Sequence, residues 1–373
     1  MFGIGSLADG YLALISLKII KSVLTRRQMS GDSDKPQLFL CWKPFGDVSM
    51  EPLFRQLFVN SFIQTRIPVM RYLSVLNACI VLFLFGAVAN AQPQGINMDR
   101  INTTLPLEGA PPAVPGPYKV TSEGALGSPG HVLFRPADLS AFPAKDSLPV
   151  MVWGNGGCAI DSTRYAGFLS TIASHGFLVL STAAVEGETR RQANAADLLA
   201  AIDWAEAENK RAGSPLNGKI DTGHIAVMGQ SCGGFLSISL GADPRVDTIG
   251  VFNSGVQPPN PNASGSPFPT TDALAKLHGP VLLINGHERD FMMKTSAENF
   301  ALINKVPVFY GARHNAGHTA TVFHPGGGEF ANVASNWLLY QFKGDKNAAK
   351  MFVGKDCGLC TNPDWDTDSK KLE

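Results

Sequence analysis

Residues 229–233 read Gly229-Gln230-Ser231-Cys232-Gly233, preceded by the apolar run 225–228 and followed by residues 234–240, which read as a helix. A G-x-S-x-G set between strand and helix is a nucleophile elbow, a turn so sharp that the serine is held in a strained backbone conformation. Glycines stand on either side because a Cβ there would collide as strand and helix close on each other. The serine oxygen is then presented at the carboxyl edge of a sheet, beside a helix amino terminus that favours negative charge. Five loosely specified positions recur by chance, and it is the flanking strand and helix that make this match informative.

The pattern around the elbow alternates. Strand-length apolar runs occur at 132–134, 150–153, 177–180, 225–228, 249–252, 281–284 and 306–310. Helical stretches lie between many of them, at 165–174, 193–209, 234–240, 295–303 and 330–342. In the second, Ala195, Leu198, Leu199, Ile202 and Ala205 recur at helical spacing and form one apolar face. Strands apolar throughout, separated by amphipathic helices, predict an α/β fold: a mostly parallel sheet of about eight strands with helices on both faces. Residues 258–271 read as a loop, so no cap domain is expected over the serine. The 373-residue chain is 45% hydrophobic with a formal net charge of +0, enough apolar material for one sizeable core. Its basic pairs (Arg26-Arg27, Arg190-Arg191, Lys370-Lys371) are isolated, which argues against nucleic acid as a partner.

Residues 70–91 begin Met-Arg-Tyr, continue through the apolar stretch 75–88 and end Ala89-Asn90-Ala91, the layout of a secretory signal with its cleavage site. The stretch is short for a stable membrane span. Mature protein is expected to begin at Gln92, which makes residues 1–69 either an over-extended start or the lead-in to an internal anchor; the complete signal pattern favours the first. Residues 92–117 read as a Pro/Gly-rich leader, 118–345 as the catalytic domain and 346–373 as a C-terminal tail carrying a C-x-x-C. Export to an oxidising compartment favours disulfides. Of the three pairings that Cys158, Cys232, Cys357 and Cys360 allow, Cys158 with Cys232 and Cys357 with Cys360 is expected, because the first two flank loops that the fold brings to one corner.

A serine at an elbow needs a base to take its proton and an acid to orient that base, in chain order serine, acid, histidine, on loops after later strands. The run 281–284 leads into Asn285-Gly286-His287-Glu288-Arg289-Asp290, and the run 306–310 into Gly311-Ala312-Arg313-His314-Asn315-Ala316-Gly317-His318. Asp290 is the expected acid, with Glu288 as the alternative. His318 is the expected base, on a loop that Gly317 lets swing toward Ser231, with His314 or His324 as alternatives. Two backbone donors are needed for the oxyanion: the amide of Cys232, and one from the loop Gly154-Asn155-Gly156-Gly157-Cys158, Asn155 before Gly156. The histidines between 287 and 324 match no zinc-binding spacing, and no metal is expected.

The elbow and its approach, Ile220-Asp221-Thr222 and then 225–234, resemble the α/β-hydrolase superfamily, specifically its secreted capless serine esterases: cutinase-like polyester hydrolases, dienelactone hydrolases and chlorophyllase-like esterases. Residues 173–180 and the helix ending Ala200-Ala201-Ile202-Asp203-Trp204 are similar too. Cys232 stands where polyester hydrolases commonly carry Met, and Trp153-Gly154-Asn155 replaces their Pro-Gly-aromatic loop. The resemblance implies a Ser231-His318-Asp290 triad and no cofactor. The expected protein is a secreted, monomeric esterase for small-molecule or polymeric esters. Its rivals are an acyltransferase using the same triad and a non-catalytic binding module on the same scaffold.

Overall fold

The computed structural model describes residue 107 and residues 109–372, except 129, 186–190 and 261–267. The signal-like segment 70–91, the segment 1–69 and most of the leader lie outside these residues. Within them the strands are β1 (Val120–Gly124), β2 (His131–Pro136), β3 (Pro149–Gly154), β4 (Leu178–Thr182), β5 (Asp221–Gln230), β6 (Thr248–Phe252), β7 (Val281–Gly286), β8 (Val308–Arg313) and β9 (Trp365–Lys370). They form one sheet in the order β1-β2-β4-β3-β5-β6-β7-β8-β9. From β4 to β8 all pairings are parallel; β1 with β2, β2 with β4, and β8 with β9 are antiparallel.

The main helices are α1 (Ala166–Ser174), α2 (Ala195–Lys210), α3 (Cys232–Leu240), α4 (Met293–Leu302) and α5 (Gly328–Lys343). Their apolar faces cover the sheet on both sides, and the period-2 alternation of strand side chains divides the core accordingly. Val150, Val152, Ile225, Val227, Val281 and Leu283 pack with side chains of α2, α3 and α4. Met151, Trp153, Ala226, Met228, Leu282 and Ile284 point to the other face, against α1 and α5. Local chemistry fixes where α2 begins: the Asn194 side chain accepts from the Ala196 amide while Asp197 accepts from the Asn194 amide, a reciprocal cap for two otherwise orphaned donors.

Nine strands replace the expected eight or so, and the sheet runs into the segment read as a tail. β9 pairs with β8 from Val308↔Lys370 to Arg313↔Trp365. Its sequence, Trp-Asp-Thr-Asp-Ser-Lys, buries only Trp365, so no apolar run announced it. Beneath it, buried Arg313 is paired with buried Glu329, which also accepts a hydrogen bond from the Trp365 indole N–H. This ties β8, α5 and β9 together at one point. Among the described residues no helix is long and apolar enough to cross a membrane.

Candidate active site

β3, β5, β6, β7 and β8 run parallel, so the loops that follow them emerge at one edge of the sheet. Those loops bring Asn155, Ser231, Asn253, Asp290 and His318 to the same rim. Ser231 has φ 54 and ψ −116, directly before the first residue of α3. The approach of strand and helix leaves no room for a Cβ: one built on Gly233 would lie 1.9 Å from the Gly154 carbonyl oxygen, and one on Gly229 would lie 2.4 Å from the carbonyl of Gly233. The Ser231 amide is spent on the Phe252 carbonyl, so the elbow is clamped to β6 as well.

Ser231 Oγ lies 2.8 Å from His318 Nε2, and His318 Nδ1 lies 2.9 Å from Asp290 Oδ1. A carboxylate can only accept, so Nδ1–H donates to it and Nε2 is left as the acceptor for the serine hydroxyl. Both His318 and Asp290 are buried. Asp290 further accepts from the amides of Gly286 and Met292 and, at 2.8 Å, from the side-chain amide of Asn253, so three further donors hold its carboxylate in place. Phe291 stacks on the imidazole, ring centroids 4.0 Å apart, and is itself exposed. The acid and base loops are zipped together: Arg289 and Gly317 form a parallel bridge and the His287 amide donates to the Ala316 carbonyl.

The alternatives are engaged elsewhere. Glu288 pairs with His287, and His314 with Asp366. Arg289, adjacent to Asp290 in sequence, donates instead to the Asn315 carbonyl. His287, His314 and Asp366 place ligand atoms within 4.8 Å of one another, and these are the described residues that could hold a metal ion. Spacing could not reveal that group, because β9 brings Asp366 in from far along the chain. It is a hydrogen-bonded cluster: His314 Nε2 and His287 Nε2 each contact an Asp366 oxygen at 2.9 Å, and the His314 bond, with a smaller contribution from His287, holds the Asp366 carboxyl below its ordinary range.

Cys158 and Cys232 are joined as a disulfide, as are Cys357 and Cys360. The first bond ties the loop after β3 to the residue after the serine. Cys232 is the first residue of α3, where amide N–H groups have no intrahelical acceptor and the helix dipole favours negative charge. In the facing loop Asn155 is wholly buried, its side-chain amide donating to Ala159 and Thr182 and its oxygen accepting from Ser181. The Gly156 amide donates to the Tyr165 hydroxyl at 2.8 Å. Gly157, at φ 66, is the exposed glycine of this loop. Sequence reasoning passed over it, and also over Asn253, whose φ of 48 no composition signal could give away.

A cavity of about 480 Å³ is lined by Phe235, one turn of α3 beyond Ser231, by Met292, two residues beyond Asp290, and by Val256, Pro258, Phe268 and Thr270. Its lining is mainly apolar.

The PET hydrolase-like family model matches residues 113–307, which include β3, the elbow, Asn253 and Asp290 and stop short of His318. No curated protein matches the chain. With a match over more than half its length and a mostly parallel sheet carrying a serine elbow, the chain belongs to the PET hydrolase-like family of carboxylic ester hydrolases.

Proposed function

We propose that the protein is a secreted serine esterase that works through an acyl-enzyme on Ser231. The observation that carries this reading is the continuous hydrogen-bonded line from Asp290 through His318 to Ser231. His318 takes the hydroxyl proton as Ser231 attacks the ester carbonyl; Asp290 holds the tautomer and stabilises the imidazolium that forms. The carbonyl oxygen, now negative, is received by the Cys232 amide at the start of α3 and by a second donor from the loop after β3. Gly157 is the better candidate for that second donor than Asn155 or Gly156, because Asn155 is wholly buried and the Gly156 amide is spent on Tyr165. His318 then protonates the departing alcohol, and water, deprotonated by the same imidazole, releases the acid.

The apolar cavity and the exposed Phe291 ring favour an ester with an apolar acyl or aryl part. Secretion is supported by the signal pattern at 70–91 and by two disulfides, which persist in oxidising compartments. Amino-terminal sequencing of the exported protein should read from Gln92.

Hydrolysis of a series of p-nitrophenyl esters tests the chemistry. Ser231→Ala should lower kcat by about 10⁴-fold or more while the protein stays folded. A Ser231→Ala variant that hydrolyses these esters at the wild-type rate overturns the reading.

A further inference from the structure

Three hydrogen bonds, two of them buried and the one from Gly156 partly so, run across the floor of the site through two side chains that take no part in the chemistry above. The Gly156 amide donates to the Tyr165 hydroxyl at 2.8 Å, Tyr165 donates to Gln230 Oε1 at 2.9 Å, and Gln230 Nε2 donates to the His318 carbonyl oxygen at 2.9 Å. Tyr165 and Gln230 are 4% and 2% exposed, so water does not compete for these groups. Burial pushes the Tyr165 phenol up to about 12, which keeps it a donor over the whole working range of pH. Every polar atom along this line finds its complement: the hydroxyl accepts once and donates once, and the Gln230 amide offers its oxygen to one side and its nitrogen to the other.

We infer that Tyr165 and Gln230 are positioning residues that set the loop carrying the oxyanion donor and the backbone of the base in register with each other. The inference rests on the serine-esterase reading and assigns a role to the variable residue between glycine and serine in the elbow. Gln230 is the last residue of β5, one residue before the nucleophile, so the line refers both loops to the elbow. Packing supports the same arrangement. Tyr165 is held between Trp153 at the end of β3 and Phe323 beyond the base loop, at ring-centroid distances of 5.5 and 5.0 Å. Glycine at position 156 leaves room for both groups: a Cβ there would lie 2.2 Å from Gln230 Oε1 and 2.6 Å from the Tyr165 hydroxyl and would push them out of these hydrogen bonds. The disulfide fixes the Cys158 end of the oxyanion loop to α3, and this line ties the middle of the loop, at Gly156, to the base.

The test is a double-mutant cycle of Tyr165→Phe and Gln230→Met in the full chain, with thermal unfolding run on each variant to establish that it is folded at the assay temperature. Each single variant should lose about tenfold to a hundredfold in kcat with KM within about twofold, the size expected when reacting groups are misplaced by a fraction of an ångström to an ångström. The double variant should be no more than about twofold worse than the worse single, since breaking one link already uncouples the two loops. Should Gln230→Met fail to fold, Gln230→Glu keeps the acceptor for Tyr165 and removes the donor to His318, and should show the same kcat loss. Unchanged kcat, a rise confined to KM, or losses that multiply would overturn the inference. Fluorophosphonate labelling of the wild type separates this from the larger reading: absence of label on wild-type Ser231 sinks the esterase, whereas a labelled wild type with indifferent variants sinks only the positioning role.

Discussion

Asn253 donates its side-chain amide to Asp290 Oδ2 at 2.8 Å from a backbone held at φ 48, so the carboxylate that orients the base is itself oriented from the neighbouring strand end. Asn253→Gly keeps that backbone accessible and removes the side chain, with its bond to Asp290 and a longer one, 3.4 Å, to the Gly317 carbonyl. One hydrogen bond to a charged group contributes about 1.5 kcal/mol, which predicts about a tenfold loss in kcat with KM little changed. Steady-state kinetics on soluble esters check this, and wild-type kcat in the variant would contradict it.

The Cys158–Cys232 bond closes a loop between residues 74 apart and joins the two sides of the oxyanion site. Cys158→Ser should lower stability by about 2–4 kcal/mol, measured by denaturant unfolding, because the unfolded chain regains the freedom the crosslink removed. Below the unfolding transition, turnover should fall more than substrate affinity. Equal kcat in the variant and wild type would show that the bond serves stability alone.

Much of this arrangement is legible in the residues. Alternating apolar runs and amphipathic stretches convey the parallel sheet because burial on both faces leaves a direct imprint on composition. Ser231, Asp290 and His318 could be nominated because each follows a strand. Other features lie beyond sequence for physical reasons. β1 and β9 are edge strands with polar or exposed faces, so neither has an apolar run. Asn253 and Gln230 act through side-chain amides whose partners lie 37 and 88 residues away, a relation visible only once the strand ends meet. Asn155, and after it Gly156, looked available in a glycine-rich loop, because sequence does not show that Thr182 and Ser181 hold the buried Asn155 side chain and that the Tyr165 hydroxyl takes the Gly156 amide.

Acid should weaken the fold through two histidines. Burial holds His131, which contacts Ser128 and the Asp197 carbonyl, and His175, which contacts the Val114 carbonyl, below the imidazole value of 6.5. As pH falls below 6.5 the unfolded chain binds protons that the folded chain resists, so stability is full above 6.5 and is lost progressively until the folded imidazoles protonate. Tm should therefore drop between about pH 7 and pH 5, and His131→Gln should make the drop shallower. An unaltered slope in His131→Gln would contradict this.

Removing the Glu329 carboxylate leaves the buried Arg313 guanidinium without its main partner and the Trp365 N–H without an acceptor. Glu329→Ala should cost about 3–5 kcal/mol, far more than an exposed ion pair would. Denaturant titration measures it. A loss under about 1 kcal/mol would show that Asp364 and the backbone carbonyls around Arg313 suffice.

The proposed mechanism requires Ser231 to be a nucleophile activated by His318. Treating the protein with a fluorophosphonate and mapping the adduct by peptide mass spectrometry tests it most directly. One adduct per chain is expected, on Ser231, absent from Ser231→Ala and formed far more slowly in His318→Ala. Folded wild-type protein that stays unmodified, or that carries its adduct on another residue, would contradict it.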